Sequence, residues 1–176
     1  DWPTSLELIR RSLDAAQDFP NALIASGAGT DQLPPENAKS LDDVIHAYEE
    51  QIEAIEKLDG NIILMASRAL ARVAKSPEDY HKVYDRILSQ VSKPVVIHWL
   101  GEMFDPALAG YWGDADHMRA MDVATSIING NAAKIDGVKI SLLDKDKEII
   151  MRRRLVDGVK MYTGDDFNYA LSLIHI

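Results

Sequence analysis

The chain of 176 residues contains no cysteine, which excludes disulfide bonds, thiolate zinc sites and cysteine nucleophiles. It also contains no apolar run of the roughly 20 residues that cross a bilayer. Basic residues are outnumbered, 19 against 28 acidic ones, and the net charge of −9 disfavours nucleic acid or an anionic membrane as a partner, because phosphate would be repelled. We therefore expect a cytoplasmic protein that acts on a small molecule.

The composition that is present, 47% hydrophobic and 27% charged, is that of an ordinary globular protein with one buried core. The ends are less ordinary. The chain begins at Asp1 rather than at a methionine, and its last seven residues, ALSLIHI, follow what reads as the end of a strand. We expect a fragment whose domain spans residues 1–169. It is followed at 170–176 by an atypical tail, which could be non-native sequence.

Helices and strands alternate along the sequence. Apolar residues spaced by three and four predict helices over 6–16, 41–58, 80–91 and 118–128, with Ser40 and Ser76 as N-caps and Gly60 as a stop. Between them lie five short and nearly continuous apolar runs, as expected of parallel strands covered on both faces. These runs are 22–25, 62–65, 94–99, 138–142 and 159–162.

This alternation predicts a parallel α/β protein, and two architectures fit it. One is an open, doubly wound sheet, whose dinucleotide-binding form needs a G-x-G-x-x-G turn. Residues 26–30, Ser-Gly-Ala-Gly-Thr, supply only half of that motif, and a tight turn is the simpler interpretation. The other is a partial (β/α)₈ TIM barrel with its first and last strands missing, since a whole barrel needs about 250 residues.

Lys139 lies inside a predicted strand, where an ammonium group is costly to bury unless it is paired or neutral. Removal of a lysine from water favours the neutral amine, which can attack a carbonyl carbon to form a Schiff base. The alternatives are a lysine paired with a carboxylate on a neighbouring strand, or one whose ammonium group reaches solvent. Lys160 offers an internal comparison, because Asp-Gly-Val-Lys occurs at 136–139 and again at 157–160.

Further candidates follow the other strands, since both architectures bind ligands at the carboxyl ends of parallel strands. Arg68 could clamp a carboxylate, and the adjacent Asp165 and Asp166 could orient water, bind a cation or cap a helix. His98 has Glu102 and Asp105 nearby in sequence, although their spacing matches no zinc signature, and a hydrogen-bonded structural histidine is the simpler interpretation. The candidate substrate-binding residues are Gly27, Ser67, Arg68, His98, Gly164 and Asp165.

Two motifs carry a resemblance to a known family. Gly137-Val138-Lys139, followed by Gly-Asp-Asp at 164–166, resembles the Schiff-base strand and the next strand of the dihydrodipicolinate synthase and N-acetylneuraminate lyase superfamily of (β/α)₈ barrels. Residues 24–30 resemble its third-strand glycine turn, and 94–98 its fifth strand. The sequence is most similar to an uncharacterised bacterial branch of that superfamily, sharing runs such as 62–71 and 139–148, over residues 2–169.

The resemblance implies that Lys139 is the Schiff-base lysine and that Gly164 contributes backbone beside the substrate. It implies a class I aldolase-like lyase acting on a 2-oxo acid such as pyruvate, or on an aldehyde, with no metal or organic cofactor and in a homo-oligomer. The family's catalytic tyrosine follows the fourth strand, where this sequence reads Ala-Ser-Arg-Ala at 66–69. Its Gly-Thr-Thr-Gly-Glu loop would lie before Asp1. Ser67, Arg68 and His98 are therefore candidates for proton transfer or carboxylate binding.

Two other functions remain open at this point. A metal-dependent barrel isomerase or aldolase could use His98, Glu102 and Asp105, or the pair of aspartates at 165–166. A catalytically silent barrel could keep the scaffold and bind a small molecule without turnover. The first predicts activity that a chelator abolishes, and the second predicts stabilisation by ligand without a covalent adduct.

Overall fold

A computed structural model describes residues 1–19, 21–164 and 167–174. Within these residues it contains one sheet of five strands. The strands are β1 (Ala25–Ala28), β2 (Asn61–Leu64), β3 (Val95–Leu100), β4 (Ile135–Ser141) and β5 (Lys160–Thr163). All neighbouring pairs are parallel. The five strands of the predicted α/β fold are thus confirmed.

Helices connect and flank these strands. They are α1 (Trp2–Ala16), α2 (Leu41–Glu56), α3 (Arg68–Val73), α4 (Pro77–Gln90), α5 (His117–Gly130), α6 (Lys145–Arg154) and α7 (Tyr169–Leu173). Between consecutive strands, the chain crosses back through a helix to the edge of the sheet where the next strand begins, as parallel pairing requires.

Local sequence signals explain where the main helices begin. Ser40 caps α2 in a capping box, because its hydroxyl accepts from the backbone N–H of Asp43 while the Asp43 carboxylate accepts from the N–H of Ser40. Pro77 occupies the first position of α4, where its missing N–H costs nothing. The end of α2 differs from the prediction: Asp59, with φ of 60°, takes the left-handed conformation one residue before Gly60.

The order of strands in the sheet distinguishes between the two predicted architectures. It is β1-β2-β3-β4-β5, so every strand lies beside its neighbours in sequence. A doubly wound sheet reverses direction at a switch point, whereas a (β/α)₈ barrel adds each strand on the same side. The described sheet therefore has barrel topology, and the partial TIM barrel predicted from the sequence is confirmed.

The two faces of the sheet have different surroundings. On the outer face, strand residues such as Leu64, Ile97 and Val138 join one buried core with the helices. The inner face holds a pocket of about 460 Å³. Since side chains alternate along a strand, residues between the core positions, such as Val96 and Lys139, line this pocket.

The first strand is not where the apolar run predicts it. Residues 22–25 are apolar, but Leu23 is 74% exposed, and β1 instead comprises Ala25–Ala28. Gly27 pairs with Ile63 of β2, so the expected glycine turn is strand. Small residues fit here because a β carbon on Gly27 would lie 3.3 Å from Cγ of Met65.

The last described residues dock onto the fold. Ser172 of α7 is fully buried, and its hydroxyl donates to the Glu148 carboxylate of α6 at 2.6 Å. Arg152 of α6 also donates to Ser172. The domain boundary expected at residue 169 stays a prediction. No described helix combines the length and the apolarity that a membrane crossing needs.

Candidate functional site

A row of side chains on the inner face surrounds Lys139. The register pairs Lys139 of β4 with His98 of β3 on one side and with Tyr162 of β5 on the other. Paired residues of adjacent parallel strands lie about 4.8 Å apart and point to the same face. The structure therefore brings His98 and Tyr162 directly against the predicted Schiff-base lysine.

Lys139 has no carboxylate partner among the residues that the structure describes. Asp136, which lines the same pocket as Lys139, has other partners: its carboxylate accepts from Lys160 at 2.7 Å and from the Tyr162 hydroxyl at 2.6 Å. These hydrogen bonds lower the pKa of Asp136, the one from Lys160 most, and the carboxylate in turn raises the pKa of Tyr162. Of the two lysines, Lys160 is thus the one that pairs with a carboxylate, and Lys139 pairs with none in the part of the chain that the structure describes.

Gly137 makes this arrangement possible. A β carbon at residue 137 would lie 2.6 Å from the carbonyl oxygen of Lys160 and 2.8 Å from a ring carbon of Tyr162. Such distances are shorter than any real contact, so only glycine lets the Tyr162 ring approach the β4 backbone. The glycine of the Gly-Val-Lys motif therefore sets the close packing of β5 against the strand that carries Lys139.

His98 is buried beside Lys139 and is uncharged at neutral pH. It is 7% exposed, and its Nε2 atom lies 3.0 Å from the Ser141 hydroxyl. Burial, with the positive charge of Lys139 as the second cause, lowers the pKa of His98 from 6.5 to about 4. Ser141 is two residues beyond Lys139, so it lies on the same face and closer to the carboxyl end of β4. A neutral imidazole and a hydroxyl therefore flank the lysine on the ligand side.

Gly164 closes this group at the end of β5. A β carbon there would overlap the Ser141 hydroxyl and the carbonyl oxygen of Ile140. The backbone of residue 164 consequently lies directly against Ser141. The structure places the predicted residue beside the lysine strand, and its binding role stays a prediction. Asp165, predicted to bind substrate, and Asp166 lie outside the described residues.

Ser67 has structural partners. Only 2% exposed, it caps α3 by accepting from the N–H of Leu70 at 3.0 Å, and its hydroxyl lies 2.6 Å from that of Thr30. Its own N–H donates to Tyr111. The structure therefore gives this hydroxyl a capping role in the buried network behind β1 and β2. Its predicted contact with substrate stays a prediction.

Arg68 links three loops at the carboxyl end of the sheet. Its guanidinium donates to Asp105, which follows β3, and to Asp31, which follows β1, at 3.3 Å. The Arg68 side chain is half exposed, and Asp31 is largely exposed. Arg68 thus lies at the edge expected of a carboxylate-binding group, but two protein carboxylates already pair with it. Gly27 lies at the same edge, in β1.

Three of the residues proposed for a metal site, His98, Glu102 and Asp105, do not form a common group. Glu102 pairs with His117 at 3.0 Å, Asp105 pairs with Arg68, and His98 contacts Ser141. Over residues 1–19, 21–164 and 167–174, no three histidines or carboxylates form a group that could hold an ion. The proximity of His98, Glu102 and Asp105 in sequence therefore does not carry over to the folded chain.

Sequence reasoning did not single out Ser141 or the pairing of Tyr162 with Asp136. Alternation along β4 could have found the serine, because residues i and i+2 of a strand share a face. The pairing of Tyr162 with Asp136 depends on the register between β4 and β5, which no local pattern specifies.

Fold and site together define a class of protein: part of a (β/α) barrel whose fourth described strand carries, on its inner face, a lysine that pairs with no carboxylate of the described residues. The family follows from sequence. The model of the family described as "Protein of unknown function (DUF993)" matches residues 1–175, and the chain belongs to this family. No curated protein matches the sequence.

Solved structures with this fold include two dihydrodipicolinate synthases and an aldolase. The synthase from Bacillus anthracis aligns with a TM-score of 0.72 and 13% identity, over 99% of this chain and 50% of its own. The synthase from Aquifex aeolicus gives 0.64 and 11%, over 99% and 49%. The 2-keto 3-deoxygluconate aldolase from Picrophilus torridus gives 0.62 and 16%, over 97% and 52%. The chain thus spans about half the length of these proteins.

Proposed function

We propose that this chain carries the Schiff-base lysine of a class I aldolase-like lyase, with Lys139 as the nucleophile and a 2-oxo acid such as pyruvate as substrate. The observation that carries the proposal is the state of Lys139. This lysine lies on the inner face of a barrel strand, two residues from that strand's end, and has no carboxylate partner among the described residues, while the second lysine of the repeated tetrapeptide pairs with Asp136.

The chemistry follows from an amine in this position. The nitrogen of Lys139 attacks the ketone carbon, water leaves, and a protonated imine remains. That imine withdraws electrons from the adjacent carbon, so a carbon–carbon bond to it can form or break. No metal or organic cofactor takes part in these reaction steps. Similarity in fold to lyases such as the Picrophilus torridus aldolase supports the class of reaction.

Substrate recognition in this proposal uses the carboxyl ends of the strands. Gly164 offers backbone beside the imine, because it lies directly against the residues that follow Lys139. Arg68 offers a guanidinium to the substrate carboxylate in exchange for its weaker contact with the exposed Asp31. Gly27, Ser67 and Asp165 complete the proposed set, which acts in a homo-oligomer.

The test is trapping with borohydride, which reduces an imine to a stable secondary amine. The longest natural chain that contains this sequence is incubated with pyruvate and with a panel of other 2-oxo acids, reduced, and read by intact and peptide mass spectrometry. We expect one adduct per chain on the peptide that contains Lys139.

Two variants make the result specific. Lys139→Ala is expected to abolish the adduct. Lys160→Ala is the matched control, since it removes the other lysine of the repeated tetrapeptide, and is expected to trap as the wild type does. A folded wild type without an adduct across the whole panel would rule out the lyase for those acids, and stabilisation by an acid without an adduct would indicate a silent binding barrel.

A further inference from the structure

Schiff-base formation needs protons to move between the lysine and the carbonyl oxygen. The lysine starts as an ammonium with three protons and ends as an iminium with one, while the ketone oxygen leaves as water. Two protons therefore pass from nitrogen to oxygen, and the total charge does not change. Each transfer needs a nearby group that accepts a proton and then releases it.

Two residues lie directly opposite Lys139 in the sheet, His98 and Tyr162. The Tyr162 hydroxyl is engaged, because it donates at 2.6 Å to the same carboxylate that holds Lys160. That carboxylate belongs to Asp136, three residues before Lys139, so the Tyr162 hydroxyl is directed toward the amino end of the strand. Tyr162 therefore points away from the carboxyl ends where the substrate binds.

His98 lies on the other side of Lys139 from Tyr162, and its ring is directed toward the carboxyl end of the strand. Its Nε2 atom contacts the hydroxyl of Ser141, two residues closer to the carboxyl end than Lys139. Both residues are almost fully buried, at 7% and 4% exposed. The imidazole is the neutral neighbour of Lys139 on this side, and transfer of a proton from the lysine removes the positive charge that is one of the two causes of the lowered pKa of His98.

We propose that His98 carries the two protons from the Lys139 nitrogen to the leaving oxygen, and that Ser141 positions the His98 ring by the hydrogen bond between them. His98 accepts the first proton from the ammonium and donates it to the oxygen of the carbinolamine. It accepts the second from the carbinolamine nitrogen and donates it to the departing hydroxyl, which leaves as water. His98 ends neutral, and no further reactant is needed.

Gly164 contributes to this arrangement. Its missing β carbon leaves the space that the Ser141 hydroxyl occupies. A side chain at residue 164 would push this hydroxyl away from His98. Gly164, which directly follows β5, and His98 of β3 are thereby connected through Ser141.

This inference rests on the proposed function, and its test is kinetic. The rate of pyruvate imine formation is measured by quenching with borohydride at successive times, in the wild type and in His98→Ala. We expect the rate to fall at least 100-fold, in keeping with the usual 10²–10⁴-fold contribution of a proton-transfer group, while the final extent of trapping is retained. Free imidazole is expected to restore at least a tenth of the lost rate, and the non-basic ring pyrrole is not.

Two further variants separate the roles. Ser141→Ala keeps the imidazole and is expected to slow imine formation about tenfold, without rescue by imidazole. Tyr162→Phe tests the other neighbour of Lys139. A larger loss in Tyr162→Phe than in His98→Ala would overturn the assignment, and so would a His98→Ala protein that traps pyruvate as fast as the wild type. A wild type without an adduct would instead overturn the proposed function. Thermal unfolding of each variant verifies that it is folded.

Discussion

A neutral, buried His98 makes the stability of the fold sensitive to acid in a predictable way. The folded protein lowers the pKa of His98 from 6.5 to about 4, so between these values the unfolded chain binds a proton that the folded chain does not. Stability from this residue is therefore fully present above pH 6.5 and is lost as the pH falls toward 4.

The size of the effect follows from the two pKa values. When the pH falls from 7 to 4.5, a group with these two pKa values lowers the free energy of unfolding by about 2 kcal/mol. Protonation of carboxylates with a lowered pKa, such as Glu7 and Asp136, also destabilises the folded protein in acid. Their contribution is the same in a His98 variant, so the difference between variant and wild type isolates the histidine.

The assay is urea unfolding of the full-length protein at pH 7 and at pH 4.5, for the wild type and for His98→Gln. The glutamine amide can still reach Ser141 but does not titrate. We expect the variant to lose about 2 kcal/mol less than the wild type over this range. Lys139→Met should show an intermediate loss, because it removes one of the two causes of the shift. Equal losses in wild type and His98→Gln would refute the reasoning.

Four further substitutions test the packing and one helix cap, each by urea unfolding at pH 7. Gly137→Ala should lower the free energy of unfolding by about 1–3 kcal/mol, because the added methyl group would meet the ring of Tyr162. Gly130→Ala is its control: the space at the end of α5 is open, so this variant should be neutral or up to about 1 kcal/mol more stable. A similar loss of stability at both sites would contradict this account. Ser40→Ala should cost about 1 kcal/mol through the lost cap of α2, and an unchanged stability would show that the cap contributes nothing. Leu88→Ala should cost about 2–5 kcal/mol, because this side chain is fully buried, and a loss below 1 kcal/mol would place it outside the core.

What the sequence could predict is what local signals determine. The helix at Leu41–Glu56 follows from the spacing of its apolar residues and from a serine cap, and both signals involve residues close to each other in sequence. The strand that carries Lys139 follows from a short β-branched run. The first strand was predicted three residues too early, because hydrophobicity marks apolar residues whether or not the sheet covers them. Leu23 lies in that run and is largely exposed.

The neighbours of Lys139 depend on register, which the sequence does not reveal. A register shift lies between Val95 and Val96: Val95 pairs with Ile135, whereas Val96 pairs with Gly137. Without this extra residue, His98 would pair with the residue before Lys139. Because side chains alternate, a shift of one residue would turn His98 or Lys139 to the other face. The candidate site therefore exists because of a bulge that no local pattern indicates.

The repeated tetrapeptide shows the same dependence on context. In the first copy, Gly137 lies in β4 with Val96 on one side and Lys160 on the other. In the second, Gly158 takes a φ of +92° in the turn before β5. Identical residues thus place Lys139 near the carboxyl end of one strand and Lys160 at the start of the next. The second lysine occupies the carboxylate of Asp136, so this carboxylate does not pair with the first one.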